Sequence, residues 1–150
     1  ATKLFTSVTG LGWATAALVL LGLFRTAGWD EEFERAGVAL ALTGAVVGVL
    51  MATIQRPFPP EPVCVTGSSA TVATSFPSGH AAAATVFTLV AWQSDTLPFR
   101  VVAPLGLAVA VSRIYLGTHY LTDTVAGVLI GVAAFAVGGA VLARWHRRPA

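Results

Sequence analysis

Uncharged apolar stretches alternate with short polar interruptions along the whole chain. Residues 4–24 contain no Asp, Glu, Lys or Arg. At about 1.5 Å of rise per residue, such a run crosses a hydrocarbon core of roughly 30 Å. The polar run Arg25 to Arg35 follows, then a second apolar stretch over 36–55 that stops at Arg56-Pro57. Residues 57–77 are Pro- and Ser-rich and too broken for a helix. From Pro77 to Ser94 the chain is again free of acidic and basic residues apart from His80, and Asp95 to Arg100 makes a polar turn. A fourth stretch covers 101–117, interrupted near its end by Arg113, and a fifth covers 122–143. The third and fourth fall in the length range of re-entrant or merely buried segments. The pattern predicts an all-α, polytopic transmembrane helix bundle of about five spans, in a single domain over 1–150.

Composition agrees. The chain is 55% hydrophobic and 11% charged, with a mean hydropathy of +0.76, whereas soluble chains carry about 25% charged residues. Water is not its main solvent. The net charge of +2 does not point to nucleic acid, because the basic residues are scattered at the ends of apolar stretches. Cys64 is the only cysteine, which excludes an internal disulfide and a cysteine-cluster metal site. No charged n-region precedes the first apolar stretch, so no signal peptide is expected.

The Lys and Arg distribution orients the bundle. If the first helix starts outside, the inner connections and the C-terminal tail hold Arg25, Arg35, Arg100, Arg144, Arg147 and Arg148, and the other side holds Lys3, Arg56 and Arg113. That asymmetry follows the positive-inside rule and makes the C-terminus cytoplasmic. Trp29, Trp92 and Trp145 then all fall near the inner interface, which indole rings prefer. The expected location is the cytoplasmic membrane. Gly44-x-x-x-Gly48 and Gly127-x-x-x-Gly131 are small-residue spacings that let helices approach closely, read here as intramolecular packing.

With that topology, three polar segments share the outer face: Arg56-Pro57, Pro77-Ser78-Gly79-His80, and Ser112-Arg113 through Asp123. Each has an ordinary structural explanation. Arg56 and Arg113 could be arginines snorkelling to the interface, and His80 a helix-start histidine bonded to backbone. Their convergence carries the functional reading, since ionisable residues near membrane depth are costly. His119 and Asp123 stand four apart, which predicts one shared helix face where the carboxylate orients the imidazole. Two histidines and a carboxylate would also suit a cation, but two arginines would repel it, so neither metal nor cofactor is expected. Guanidinium forks match phosphate geometry. Ser78 is a good N-cap, and Gly79 lets backbone amides of a helix N-terminus approach an anion. The set suits phosphoryl transfer, although the residues themselves leave open which histidine is the nucleophile.

In this order these residues resemble the type-2 phosphatidic acid phosphatase family, membrane lipid phosphate phosphatases that share a phosphate site with vanadium haloperoxidases. Its segments run K-x6-R-P, P-S-G-H and S-R-x5-H-x3-D. The second is intact as Pro77 to His80 and the third as Ser112, Arg113, His119 and Asp123, while the first keeps Arg56-Pro57 but has Val49 in place of lysine. The resemblance implies that His119 attacks phosphorus, that Asp123 orients it and that His80 protonates the leaving group. It also implies that Arg56, Arg113, Ser78 and the Gly79 amide bind the phosphoryl oxygens, with no metal. A lysine at position 49, two helical turns before Arg56, would reach the same anion; its loss costs about 1.5–3 kcal/mol, a tenfold to couple-of-hundredfold effect. The family has one more helix before the first one here, so the chain is either a five-helix variant or lacks an N-terminal helix. The expected activity is hydrolysis of a lipid phosphate or diphosphate, phosphatidate-like or polyprenyl, with the bilayer as the other partner. Phosphoryl transfer to another lipid, and non-catalytic binding of a lipid phosphate, are the alternatives.

Overall fold

The computed structural model describes residues 12–60 and 74–147, which form five helices and no strand. They are α1 (Gly12–Thr26), α2 (Asp30–Thr53), α3 (Gly79–Gln93), α4 (Phe99–Tyr115) and α5 (Leu121–His146). Lys3, Cys64, Arg148 and most of the Pro- and Ser-rich segment lie outside the described residues.

Helix limits differ from the apolar stretches where charge assists a terminus. α2 begins six residues early, inside the polar run, with Asp30, Glu31 and Glu32 in its first turn. Carboxylates there complement the positive end of the helix dipole, and Glu31 pairs with Arg35 one turn on. At the other end α2 stops at Thr53, and Ile54 leaves helical geometry at φ −108° and ψ 86°. Pro57 disfavours helical backbone at Arg56. The eight residues from Val49 to Arg56 therefore do not make two continuous turns on one face. Val49 instead points outward, 62% exposed.

The outer surface is as apolar as the interior. Leu18, Leu105, Leu107 and Leu129 are all largely exposed, where a water-soluble bundle would present charge. α2 and α5 are long and apolar enough to cross a membrane. α3 and α4, of 15 and 17 residues, rise about 22 and 25 Å, somewhat short of a typical core.

Small residues set the packing. α3 buries Ala83, Val86 and Val90 against Ala36, Ala39 and Leu40 of α2 and Ala17 and Phe24 of α1. On α5, a side chain at Gly127 would strike the Ser78 carbonyl, and one at Gly131 would come 2.6 Å from the Ala82 carbonyl. The paired order, 127 with 78 and 131 with 82, makes α3 and α5 parallel, at a separation that only glycine permits. The Gly127/Gly131 spacing is thus intramolecular packing. Gly44 meets only Trp13, and nothing approaches Gly48. α4 buries no residue and leans mainly on α3.

Because α2 and α4 run against α3 and α5, the helix ends gather in two layers. One holds Trp29, Arg35, Gln93, Trp145 and His146, tied by Arg35 to Gln93, Ser94 to Glu32 and His146 to Glu34. The other holds every motif residue.

Candidate active site

Arg56, Ser78, Arg113, His119 and Asp123 come from four elements and meet at one end of the bundle. The chain reaches that geometry through local rules. α4 ends with Leu116 as its C-cap, and Gly117 adopts φ +64°, the left-handed turn that glycine enters without a Cβ penalty. The chain then folds back, so that the N–H groups of Thr118 and His119 and the Thr118 hydroxyl all donate to the Arg113 carbonyl. His119 is thereby held beside the arginine that precedes it by six residues.

At the start of α3, the Ser78 Oγ accepts from the Ala81 N–H at 3.4 Å, and Ser78 is fully buried. Its hydroxyl hydrogen remains for an acceptor. The N–H groups of Gly79 and His80 have no partner among the described residues, as expected for a helix's first turn, which favours anions. The Ser78 N–H donates to the Asp123 carbonyl at 3.0 Å, joining the two best-preserved motifs backbone to backbone. His80 is half-buried and within electrostatic reach of His119 and Arg113.

The relation of His119 to Asp123 differs from the sequence expectation. His119 lies two residues before α5, and Tyr120 is the N-cap, so the pair does not share a helical face. Asp123 is fully buried, and its Oδ1 accepts from Arg56 Nη1 at 2.7 Å. Its Oδ2 accepts from the Tyr120 N–H at 2.8 Å. Both oxygens are committed elsewhere. His119 Nδ1 is instead 2.6 Å from the Ser75 carbonyl. A carbonyl can only accept, so Nδ1 carries the hydrogen and Nε2 keeps its lone pair. Burial holds the His119 imidazole below the ordinary histidine range and Arg113 pushes the same way, against the Ser75 bond and the Asp123 charge.

Ser75 was not singled out by any sequence signal, yet it joins three segments. Its N–H donates to the Arg56 carbonyl at 2.9 Å, its Oγ to the Pro57 carbonyl at 3.1 Å, and its own carbonyl receives His119. Trp13 is a second such residue. Its indole lies so close on Gly79 that a Cβ there would sit 2.7 Å from Nε1. Tyr120 is a third, its ring centroid 4.1 Å from the guanidinium carbon of Arg56. Among the described residues, no group of three or more His, Cys, Asp and Glu side chains is placed to hold a metal ion. The positive charge at this end comes from Arg56, Arg113 and two helix N-termini.

The profile of the PAP2 superfamily matches residues 35–148. The chain is 31% identical over 127 residues to decaprenylphosphoryl-5-phosphoribose phosphatase of Mycobacterium tuberculosis, from both the CDC 1551 / Oshkosh and the ATCC 25618 / H37Rv strains, covering 85% of this chain and 70% of the relative. No solved structure matches significantly. With the profile spanning all three motif segments, the chain belongs to the PAP2 superfamily.

Proposed function

We propose that this protein hydrolyses a phosphate ester or diphosphate carried by a membrane lipid, through a phosphohistidine on His119, without a metal ion. The observation that carries the reading is the His119 Nδ1 contact to the Ser75 carbonyl at 2.6 Å, which leaves Nε2 as a nucleophile among two arginines and a second histidine. In the first step Nε2 attacks phosphorus, the bond to the leaving oxygen breaks, and His80 gives that oxygen a proton. In the second step His80 takes a proton from water, the water oxygen attacks phosphorus, and the P–N bond breaks to release phosphate. Arg56, Arg113, the Ser78 hydroxyl and the Gly79 amide bind the non-bridging oxygens and stabilise charge growing on them. Asp123 acts through Arg56.

An apolar outer surface and two spanning helices support a substrate whose tail stays in the bilayer. The five helices together form the membrane domain, the short ones packed inside the bundle's thickness, with the site at the outer face. The M. tuberculosis relative is named for a phosphatase acting on a prenyl-linked phosphosugar, so that class joins phosphatidate and polyprenyl diphosphate as candidate substrates. The test uses purified protein in detergent with each lipid phosphate and EDTA. Phosphate release, trapping of an acid-labile phosphoenzyme, and loss of both in His119→Ala are expected. Loss of wild-type activity to EDTA, restored by a divalent ion, would overturn the mechanism. Acceptor-dependent product with little free phosphate would replace hydrolysis by transfer.

A further inference from the structure

Arg56 is gripped in a way that the motif pattern does not anticipate. Its Nη1 donates to Asp123 Oδ1 and to Thr122 Oγ1, both at 2.7 Å, which uses both hydrogens of that nitrogen. One face of its guanidinium plane rests on the Tyr120 ring at 4.1 Å. Asp123 is held in turn by the Tyr120 N–H. The Arg56 carbonyl accepts from Ser75, so backbone and side chain are both tethered.

A guanidinium has five N–H donors in a rigid plane. With Nη1 consumed, Nε–H and the two hydrogens of Nη2 remain, and no described residue accepts from them. Nε–H and one Nη2–H point the same way and form the side-on fork that fits two oxygens of a phosphate. The grip therefore selects which edge of Arg56 is presented. Arg56 is 36% exposed, a position at which a free arginine would sample many rotamers.

We propose that Tyr120 and Thr122 are positioning residues that, with Asp123, fix Arg56 by one nitrogen and one face so that its Nε–H/Nη2–H edge meets the phosphoryl group. The assignment rests on the reading of Arg56 as a phosphoryl ligand. It gives two of the three residues between His119 and Asp123 a function: Tyr120 and Thr122 hold an arginine from a different segment. The nucleophile and the clamp then sit on one short run of backbone, so the distance between His119 and the bound phosphoryl group is set locally.

The test is calorimetric binding of orthovanadate and of inorganic phosphate to the purified full chain in detergent, alongside thermal unfolding and phosphatase assays. Tyr120→Phe keeps the ring and should bind within about twofold of wild type. Tyr120→Leu should bind about three- to thirtyfold more weakly, with KM raised more than kcat is lowered. Thr122→Val, an independent arm should Tyr120→Leu fail to fold, should lose about three- to tenfold. In an Arg56→Gln background neither substitution should add more than about twofold, because each acts through the guanidinium. Unchanged binding in Tyr120→Leu and Thr122→Val, equal losses in the Phe and Leu variants, or full additivity with Arg56→Gln would overturn the proposal. So would a wild-type protein that binds neither anion. Anion binding with the predicted pattern but no hydrolysis by the wild type would leave the clamp standing and remove the phosphatase reading instead.

Discussion

His119 and Asp123 stand four apart, yet they serve different partners: the imidazole turns to the Ser75 carbonyl and the carboxylate to Arg56. This division predicts two separable effects. In the proposed mechanism the free-enzyme nucleophile is the neutral imidazole, and burial disfavours its charged form. With the pKa depressed, neutral His119 is retained as pH falls through the ordinary histidine range and protonates only below it. The acid limb of kcat/KM should then have its midpoint below about 6.5. A limb centred above that value would contradict the environment described. The same depression contributes stability that is present above the unfolded pKa and lost at lower pH. Asp123→Asn should weaken vanadate binding about tenfold, the scale of a hydrogen bond to a charged group, and should move that acid limb to lower pH, because the Asp123 charge opposes the depression of His119. A limb moved to higher pH would contradict that opposition. At this scale the motif residues were legible, because guanidinium and imidazole chemistry is written in side-chain identity. Ser75 was not, because it works through its carbonyl, which every residue possesses. Tyr120 was not, because an aromatic ring at a helix start reads first as packing.

Among the elements, the parallel pair α3 and α5 matters most. The run Ala81–Ala84 looks featureless, and Gly127-x-x-x-Gly131 is a spacing that chance produces often in an alanine-rich chain. Together they let two backbones close until Ser78 bonds the Asp123 carbonyl at 3.0 Å. Gly127→Val would drive a side chain into the Ser78 carbonyl, forcing the helix starts apart. Activity should fall at least about a hundredfold, since an ångström of misplacement costs that much, with the circular dichroism of the helices retained. Normal turnover in Gly127→Val would mean that the two starts need not touch. Helix existence was legible from the apolar runs. Helix ends were not, where Asp30, Glu31 and Glu32 extend α2 by electrostatics. The break at Ile54, which removes Val49 from the face expected of it, was hidden as well, because Pro57 acts on backbone rather than on hydropathy.

On the scale of the whole molecule, alternation of helix direction sorts the polar residues into two layers with apolar walls between them. The layer with Trp29, Arg35, Trp145 and His146 is the one that the positive-inside rule places in the cytoplasm. In a Cys64→Ser background, Pro60→Cys should react with a membrane-impermeant maleimide added to sealed cells, and Asp95→Cys only after permeabilisation. The reverse labelling would invert the orientation. Neither cysteine replaces a motif residue, and both positions are exposed.

The side-by-side starts of α3 and α5 also bear on turnover. Each contributes roughly half a positive charge, and the field they create with Arg56 and Arg113 acts on any tetrahedral oxyanion, tethered to a tail or not. Liberated orthophosphate is attracted as its parent ester was, so it should behave as a competitive inhibitor, weakened by added salt. What gathers the reactant also delays departure, and an enzyme built this way works fastest where free phosphate is scarce.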